Sequence, residues 1–251
     1  MTKYILIISL TLFSVPVAMS QDVNILIREA QKEEAVFREQ EALAKYLEVL
    51  RYQPNHLTAL CKTSELYNIL GKRQQAKDKQ KQYYLFAKKY AEQALRVNPN
   101  HAEANFVMSI AMGRMALISS GEEKIQAVRE IRSYAEKCVR FDPFNYKGYH
   151  VLARWYLEVS DLNSLERWLV KVAYGALPKA TLDEAIVYYE KSRSLNPGLV
   201  VNYLELAKAY NRKGQEAKAI EMLRTMEKLP NSAADDPKIK REGKELLKEL
   251  E

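Results

Sequence analysis

Near the C-terminus the apolar and small residues fall into a helical rhythm. Tyr203, Leu206, Ala207 and Tyr210 follow one another at intervals of three or four, which places them on one face of a helix. Gly214 interrupts the rhythm, and Ala219 and Leu223 resume it before Pro230. The pattern predicts two helices that turn at Gly214 and pack face to face. Each residue type has a task in that arrangement: Ala207 lets the paired helices approach, Ala219 admits the next helix, and the bulky side chains fill the space beside those contacts.

The same order returns upstream. Tyr149, Leu152, Ala153 and Tyr156 repeat the first helix, with Ala185, Tyr189 and Pro197 supplying the second. Asn105, Met108, Ser109 and Met112 form another copy with Ala135, Cys138 and Pro143. A fainter copy reads Leu60, Ser64 and Tyr67, then Ala87, Ala91, Ala94 and Pro99, while Ala42, Tyr46 and Pro54 suggest the second helix of a hairpin begun near Val23. This is the tetratricopeptide pattern. The expected fold is therefore all-α, a solenoid of helical hairpins with extended helices and a C-terminal capping helix.

The closing prolines Pro54, Pro99, Pro143, Pro197 and Pro230 are 45, 44, 54 and 33 residues apart, against about 34 in a standard repeat. The excess must lie within hairpins, because prolines mark helix ends and signature residues follow each one promptly. In the longest interval Leu165, Trp168, Leu169 and Val172 form an apolar stripe, with Arg167 and Lys171 off it. This insertion helix is expected to pack within its hairpin. Gly175 and Pro178 stop it, and Thr181 with Glu184 makes a capping-box start for the helix that carries Ala185. Beyond Pro230, Asp236 before Pro237 is a good helix start. Ile239, Leu246, Leu247 and Leu250 then give residues 236–251 one apolar face, suited to covering the open end of a solenoid.

Composition agrees with long helices, since only 8 Gly and 8 Pro punctuate 251 residues. The formal net charge is +7, but 39 basic residues are interspersed with 32 acidic ones, so the surface reads as solvated and no nucleic acid partner is expected. At the N-terminus Lys3, an apolar stretch from Tyr4 to Met19, and the small residues Ala18 and Ser20 resemble a secretion signal. Residues 1–20 are read as a signal peptide cleaved after Ser20, and residues 21–251 as the repeat domain of a periplasmic or secreted protein. Gln21 rather than a Cys stands directly after the signal, which argues against a lipid-anchored lipoprotein. Cys61 and Cys138 fall on helices not expected to pack together, so two buried thiols are expected rather than a disulfide.

The segments VLARWYLEVSDLNSLERW from Val151, VAYGALPKATLDEAIVYYEKS and VNYLELAKAYNRKGQEAKAI, with KKYAEQALRVNPNHAEAN before them, resemble the regulator of microtubule dynamics proteins, a tetratricopeptide-like group found in animals and bacteria. The resemblance runs from roughly Tyr84 to Glu251. The long insertion between Tyr156 and Ala185 makes it specific, because ordinary tetratricopeptide proteins lack one. It implies an all-helical domain that works by association, and the N-terminal signal makes the chain read as an exported bacterial member. A chain leaving the bacterial cytoplasm would meet no microtubules, so tubulin is not implied as its partner.

Catalytic chemistry is not evident. His56, His101 and His150 are far apart and in no metal-ligand spacing. Gly71-Lys72 lacks the remainder of a phosphate loop, and neither a dinucleotide fingerprint nor a GxSxG turn occurs. The chain is accordingly read as a non-enzyme without cofactor, metal or catalytic residues. First helices line the concave face of such solenoids, and their register selects Phe106, Ile110 and Arg114, then Lys147, His150, Arg154 and Glu158, then Leu204, Lys208, Asn211 and Arg212. This basic groove with apolar patches suits a protein or peptide partner, specifically an acidic or C-terminal carboxylate peptide. The alternative is a membrane-associated envelope assembly factor, tethered by an uncleaved N-terminus or by the insertion helix.

Overall fold

The computed structural model describes residues 15–251. Lys3 and the first part of the expected signal lie outside the described residues, while Val15–Ser20 falls inside the first helix. The described residues form helices and connecting turns, with no strand. Five hairpins follow one another: α1 (Val15–Ala35) with α2 (Glu39–Tyr52), α3 (Leu57–Lys72) with α4 (Lys77–Val97), α5 (Ala102–Ile118) with α6 (Gly121–Phe141), α7 (Tyr146–Ser160) with α9 (Leu182–Leu195), and α10 (Val200–Arg212) with α11 (Glu216–Lys228). The insertion holds α8 (Ser164–Tyr174), and α12 (Asp236–Leu250) ends the array.

The prolines act where steric reasoning puts them. Helices α2, α4, α6, α9 and α11 end at Tyr52, Val97, Phe141, Leu195 and Lys228, each two residues before a proline. The intervening Asn98, Asp142, Asn196 and Leu229 are extended, as a residue facing a following proline ring must be to avoid its Cδ. At the next helix start, His56 and His101 accept a hydrogen bond through Nδ1 from the amides of Ala59 and Ala104, and the Asn145 side chain accepts from Gly148. Two of the three histidines are therefore helix caps. The Thr181–Glu184 capping box is present, and Asn163 with Glu166 makes a second one.

The small residues of the repeat pattern sit at the helix contacts. Ala153, Ala185, Ala207 and Ala219 have no exposed surface, and Leu152, Leu206 and Leu223 are buried with them. Gly214 takes φ +72° in the α10–α11 turn, a conformation that costs glycine little. At Gly148 a Cβ would come within 2.8 Å of Cys138 Sγ and of Val139 Cγ1, so glycine sets how closely α7 approaches α6. Trp155 fixes the same pair of helices by donating its indole N–H to the Val128 carbonyl at 2.7 Å. Cys61 and Cys138 are free and buried, and burial pushes both thiols up to about 12.

Two elements differ from their expected roles. Three residues of the α8 stripe do not pack within the hairpin: Leu165 and Val172 are 63% and 67% exposed, and Leu169 is exposed beside them, while the Trp168 side chain lies outside the described residues. The reason is that α7 packs directly against α9, which leaves no space between them for an inserted helix. Instead α8 is held by arginine-to-carbonyl hydrogen bonds, Arg129 to Tyr174 and Gly175 and Arg167 to Val159 and Leu162. At α12, the Asp236 carboxylate turns backwards and accepts from the Ser232 and Ala233 amides, so it fastens the preceding loop rather than capping the helix.

Candidate functional site

Successive first helices are neighbours: α3 touches α5, α5 touches α7, α7 touches α10, and α10 touches α12. The row also bends back on itself. At the C-terminal end of α3, Lys72 and Arg73 reach Asp235, just before α12, at 2.9 and 3.2 Å. Arg73 also holds Glu39 at 3.0 Å. Burial works against ionisation of Asp235, yet the hydrogen bonds and charges of Lys72 and Arg73 hold its carboxyl below the ordinary aspartate value. A contact across 163 residues between the ends of that row requires curvature, with α3, α5, α7, α10 and α12 on the inside.

One part of this inner wall is a continuous ladder of charge. Tyr46 donates to Glu34 at 2.7 Å, Lys62 bridges Glu34 and Glu65 at 2.8 and 3.3 Å, and Lys147 bridges Glu65 and Glu103 at 3.3 and 2.7 Å. Burial disfavours the charge on Lys147, but the carboxylates of Glu65 and Glu103 outweigh it and hold the ammonium above the ordinary lysine value. Glu65 is held below the ordinary glutamate value, against its own burial, by Lys147 and Lys62. Lys147 was expected to face a ligand. It is committed to two carboxylates and lies 4.9 Å above the Phe106 ring, stapling α7 to α3 and α5.

The other expected groove residues divide by partner. Leu204 is 2% exposed and belongs to the core cluster to which α12 contributes Leu247; the end helix docks on α10 and leaves Leu204 inside the molecule. Phe106 is also buried, in a separate core cluster with Leu60, Val107 and Leu152, and Ile110 packs partly exposed against that cluster. His150 Nδ1 lies 2.9 Å from Asn202 Oδ1. Asn202 spends its amide N–H on the Tyr189 carbonyl, so Oδ1 is the acceptor and His150 donates from Nδ1. Burial lowers the His150 pKa, more than the Asn202 hydrogen bond and the Glu205 charge raise it. Lys208 is paired with Glu205 and Glu242, and Arg212 with Asp161 at 2.6 Å. Arg154 and Glu158 are exposed and 3.9 Å apart, and Asn211 is partly exposed.

Arg114 is different. Among the described residues it has no carboxylate partner, its Nε is buried without a hydrogen bond, and it lies 5.8 Å from the Tyr84 ring. Burial pulls its pKa below the ordinary arginine value, although a guanidinium keeps its charge at any physiological pH. It lines a cavity of about 190 Å³ between α3 and α5 with Glu65, Asn68, Ile69, Phe106, Val107 and Ile110. The sequence reading missed Glu65, Asn68, Ile69 and Val107. Extending the first-helix register to the faint α3 copy, with Leu60 in the aromatic place, selects Cys61, Glu65 and Ile69, with Asn68 beside them. No three His, Cys, Asp or Glu groups converge in metal-binding geometry among the described residues, and no described helix is long and apolar enough to cross a membrane.

The sequence profile of the regulator of microtubule dynamics protein 1-3 family matches residues 26–251. The chain belongs to this family. Regulator of microtubule dynamics protein 3 from Xenopus laevis is 31% identical over 150 residues, 59% of this chain and 32% of that protein. Protein 1 from Caenorhabditis elegans is 28% identical over 158 residues, 63% of this chain and 70% of that one. The chain spans 32% to 40% of the length of the Xenopus laevis and Rattus norvegicus forms of protein 3. Among solved structures, a thermophilic TPR protein from Thermus thermophilus superimposes with a TM-score of 0.67 at 14% identity, covering 90% of this chain and 98% of that one. The type IV pilus biogenesis factor PilW gives 0.55 at 18% identity, with 92% and 90% covered. These structural likenesses establish a tetratricopeptide-like solenoid. Within this regulator of microtubule dynamics family member, α8 occupies the insertion that ordinary repeats lack.

Proposed function

We propose that this chain is a non-enzymatic scaffold that works outside the cytoplasm and receives an extended acidic or C-terminal carboxylate peptide on its inner wall. The observation that carries the reading is the curvature: first helices bend around a wall on which Arg154 is exposed and Arg114 Nε makes no hydrogen bond among the described residues. Helical-repeat arrays present such walls to protein and peptide ligands. The test is affinity capture from envelope extracts with the native chain and with the Arg154→Glu, Arg212→Glu double variant. Polypeptides retained by the first and lost by the second support the wall; equal retention discards it. Export is tested separately by the mass of the protein recovered from the soluble envelope fraction, which is expected to begin at Gln21.

A second reading rests on the exposed Leu165, Leu169 and Val172 of α8. An apolar face on a short amphipathic helix can dock on a bilayer, which makes the chain a membrane-associated envelope assembly factor. Flotation with phosphatidylglycerol-containing liposomes, lost in the Leu169→Ser, Val172→Ser variant, supports it. Absence of flotation by the native chain removes it.

A further inference from the structure

The turns between the first four hairpins repeat one geometry. The amides of His56, His101 and Asn145 donate back to the carbonyls of Gln53, Asn98 and Asp142 at 3.0, 3.2 and 3.1 Å, and Pro54, Pro99 and Pro143 hold the corner between them. First helices lie beside first helices, so these turns all leave on one rim of the array. The connections inside hairpins, with α8 in one of them, leave on the opposite rim.

Equivalent places on the first rim carry the same chemistry. The last residues of α2, α4 and α6 are Tyr52, Val97 and Phe141, all exposed. Before each stands an exposed arginine, Arg51, Arg96 or Arg140. Phe144 adds a ring that is 78% exposed. None of these arginines has an ion pair among the described residues, for a turn back Glu92 serves Lys88 and Glu136 serves Arg132. At the turns themselves, Asp142 accepts from the Phe144 amide and Glu103 is held by Lys147. The row ends after α9, where Ser194 takes the arginine place.

A lone exposed apolar side chain needs no explanation, but a cation beside an apolar group at the same place in successive rigid turns selects a partner with both properties. That partner spreads negative charge along the rim and offers an apolar layer just beneath it. The rings protrude from turns instead of lining a groove; a rigid protein would need a pocket for each, whereas the interfacial layer of a bilayer closes around them. We propose that this rim docks on an anionic phospholipid bilayer, with Arg51, Arg96 and Arg140 on lipid phosphates and the Tyr52, Phe141 and Phe144 side chains in the interfacial layer. A guanidinium fork matches phosphate oxygens. The inference rests on the membrane-associated reading and moves its contact from α8 to the opposite rim.

The test is flotation of the full chain with vesicles of phosphatidylcholine, alone or mixed with phosphatidylglycerol. Binding is expected on the mixed vesicles only. The Arg51→Gln, Arg96→Gln, Arg140→Gln variant should bind about a hundredfold more weakly, at about fivefold for each cation near an anionic leaflet, and Phe144→Ser about tenfold more weakly. Two controls keep the fold and change other surfaces. Lys77→Gln, Lys79→Gln, Lys81→Gln removes the same charge from exposed positions at the start of α4, on the opposite rim, and Leu169→Ser, Val172→Ser removes the α8 stripe; both should bind within about threefold of the native chain, since salt screens distant charges. Thermal unfolding confirms that each variant is folded. Equal weakening in the lysine and arginine variants, or equal flotation on both kinds of vesicle, overturns the rim. Loss in the α8 variant alone overturns the rim and leaves the membrane reading standing on α8. Absence of flotation by the native chain overturns both, and a polypeptide then captured from envelope extracts by the native chain but not by the arginine variant makes the occupant of the rim a protein.

Discussion

Lys147 and Arg114 stand on neighbouring helices of one wall, and both are cations largely shielded from water, but the regions around them are built on opposite terms. Around Lys147 every charge is answered: Glu65 and Glu103 share its ammonium, and Lys62 and Tyr46 continue the chain to α1 and α2. Among the described residues Arg114 has no ion-pair partner within reach and its Nε makes no hydrogen bond, leaving only the Tyr84 ring and the more distant Asp235 charge to answer it, and Asn68 across the same cavity is also left with an idle acceptor. A basic residue in a groove register can thus be a staple between repeats or a group left without an ion pair. Partners brought from other helices make the difference.

That contrast can be broken by mutation. The largest effect is expected for Lys147→Met, which leaves Glu65 and Glu103 short of a cation and should cost about 2–3 kcal/mol in urea unfolding, under the 3–5 kcal/mol of a fully buried pair because Lys147 keeps some contact with water. A loss below about 0.5 kcal/mol would mean that the ladder does not staple the repeats. Next is His150, half-buried and hydrogen-bonded to Asn202. Its folded-state pKa is depressed, so the unfolded chain binds the proton first, and the stability it contributes is present above pH ~6.5 and lost as pH falls through the lower folded value. His150→Gln should remove up to about 1.4 kcal/mol per pH unit of that slope just below pH ~6.5. An unchanged slope would show that His150 titrates alike in both states.

Arg114→Met should leave stability unchanged or raise it by up to about 1 kcal/mol, since it replaces a half-buried cation whose Nε has no hydrogen bond with an apolar group. A loss as large as that of Lys147→Met would erase the contrast between the two regions. The smallest effect belongs to Arg212→Ala, which breaks an accessible pair with Asp161 and should shift unfolding by less than about 0.5 kcal/mol.

The hairpins were legible because packing at a helix contact is written in local spacing. Ala153 and Ala207 had to be small where two helices touch, Gly214 had to take a positive φ, and the prolines had to end helices. The insertion misled for a physical reason: Leu165, Leu169 and Val172 have the spacing of a core stripe, yet spacing says which residues share a face and not whether anything covers it. Asn68 escaped notice because it lies one place off the register that selects Glu65 and Ile69.

The order of the hairpin helices, the ends set by prolines and the residues that share each face follow from the sequence alone, because each depends on residues within a turn or two of one another. Tertiary structure alone decided that Lys72 and Arg73 meet Asp235, that Lys147 is consumed by Glu65 and Glu103, and that Arg114 is left without an ion pair among the described residues. Those outcomes depend on charges dozens to more than a hundred residues apart. Their distances are set by the curvature that many small helix contacts accumulate, which no local pattern contains.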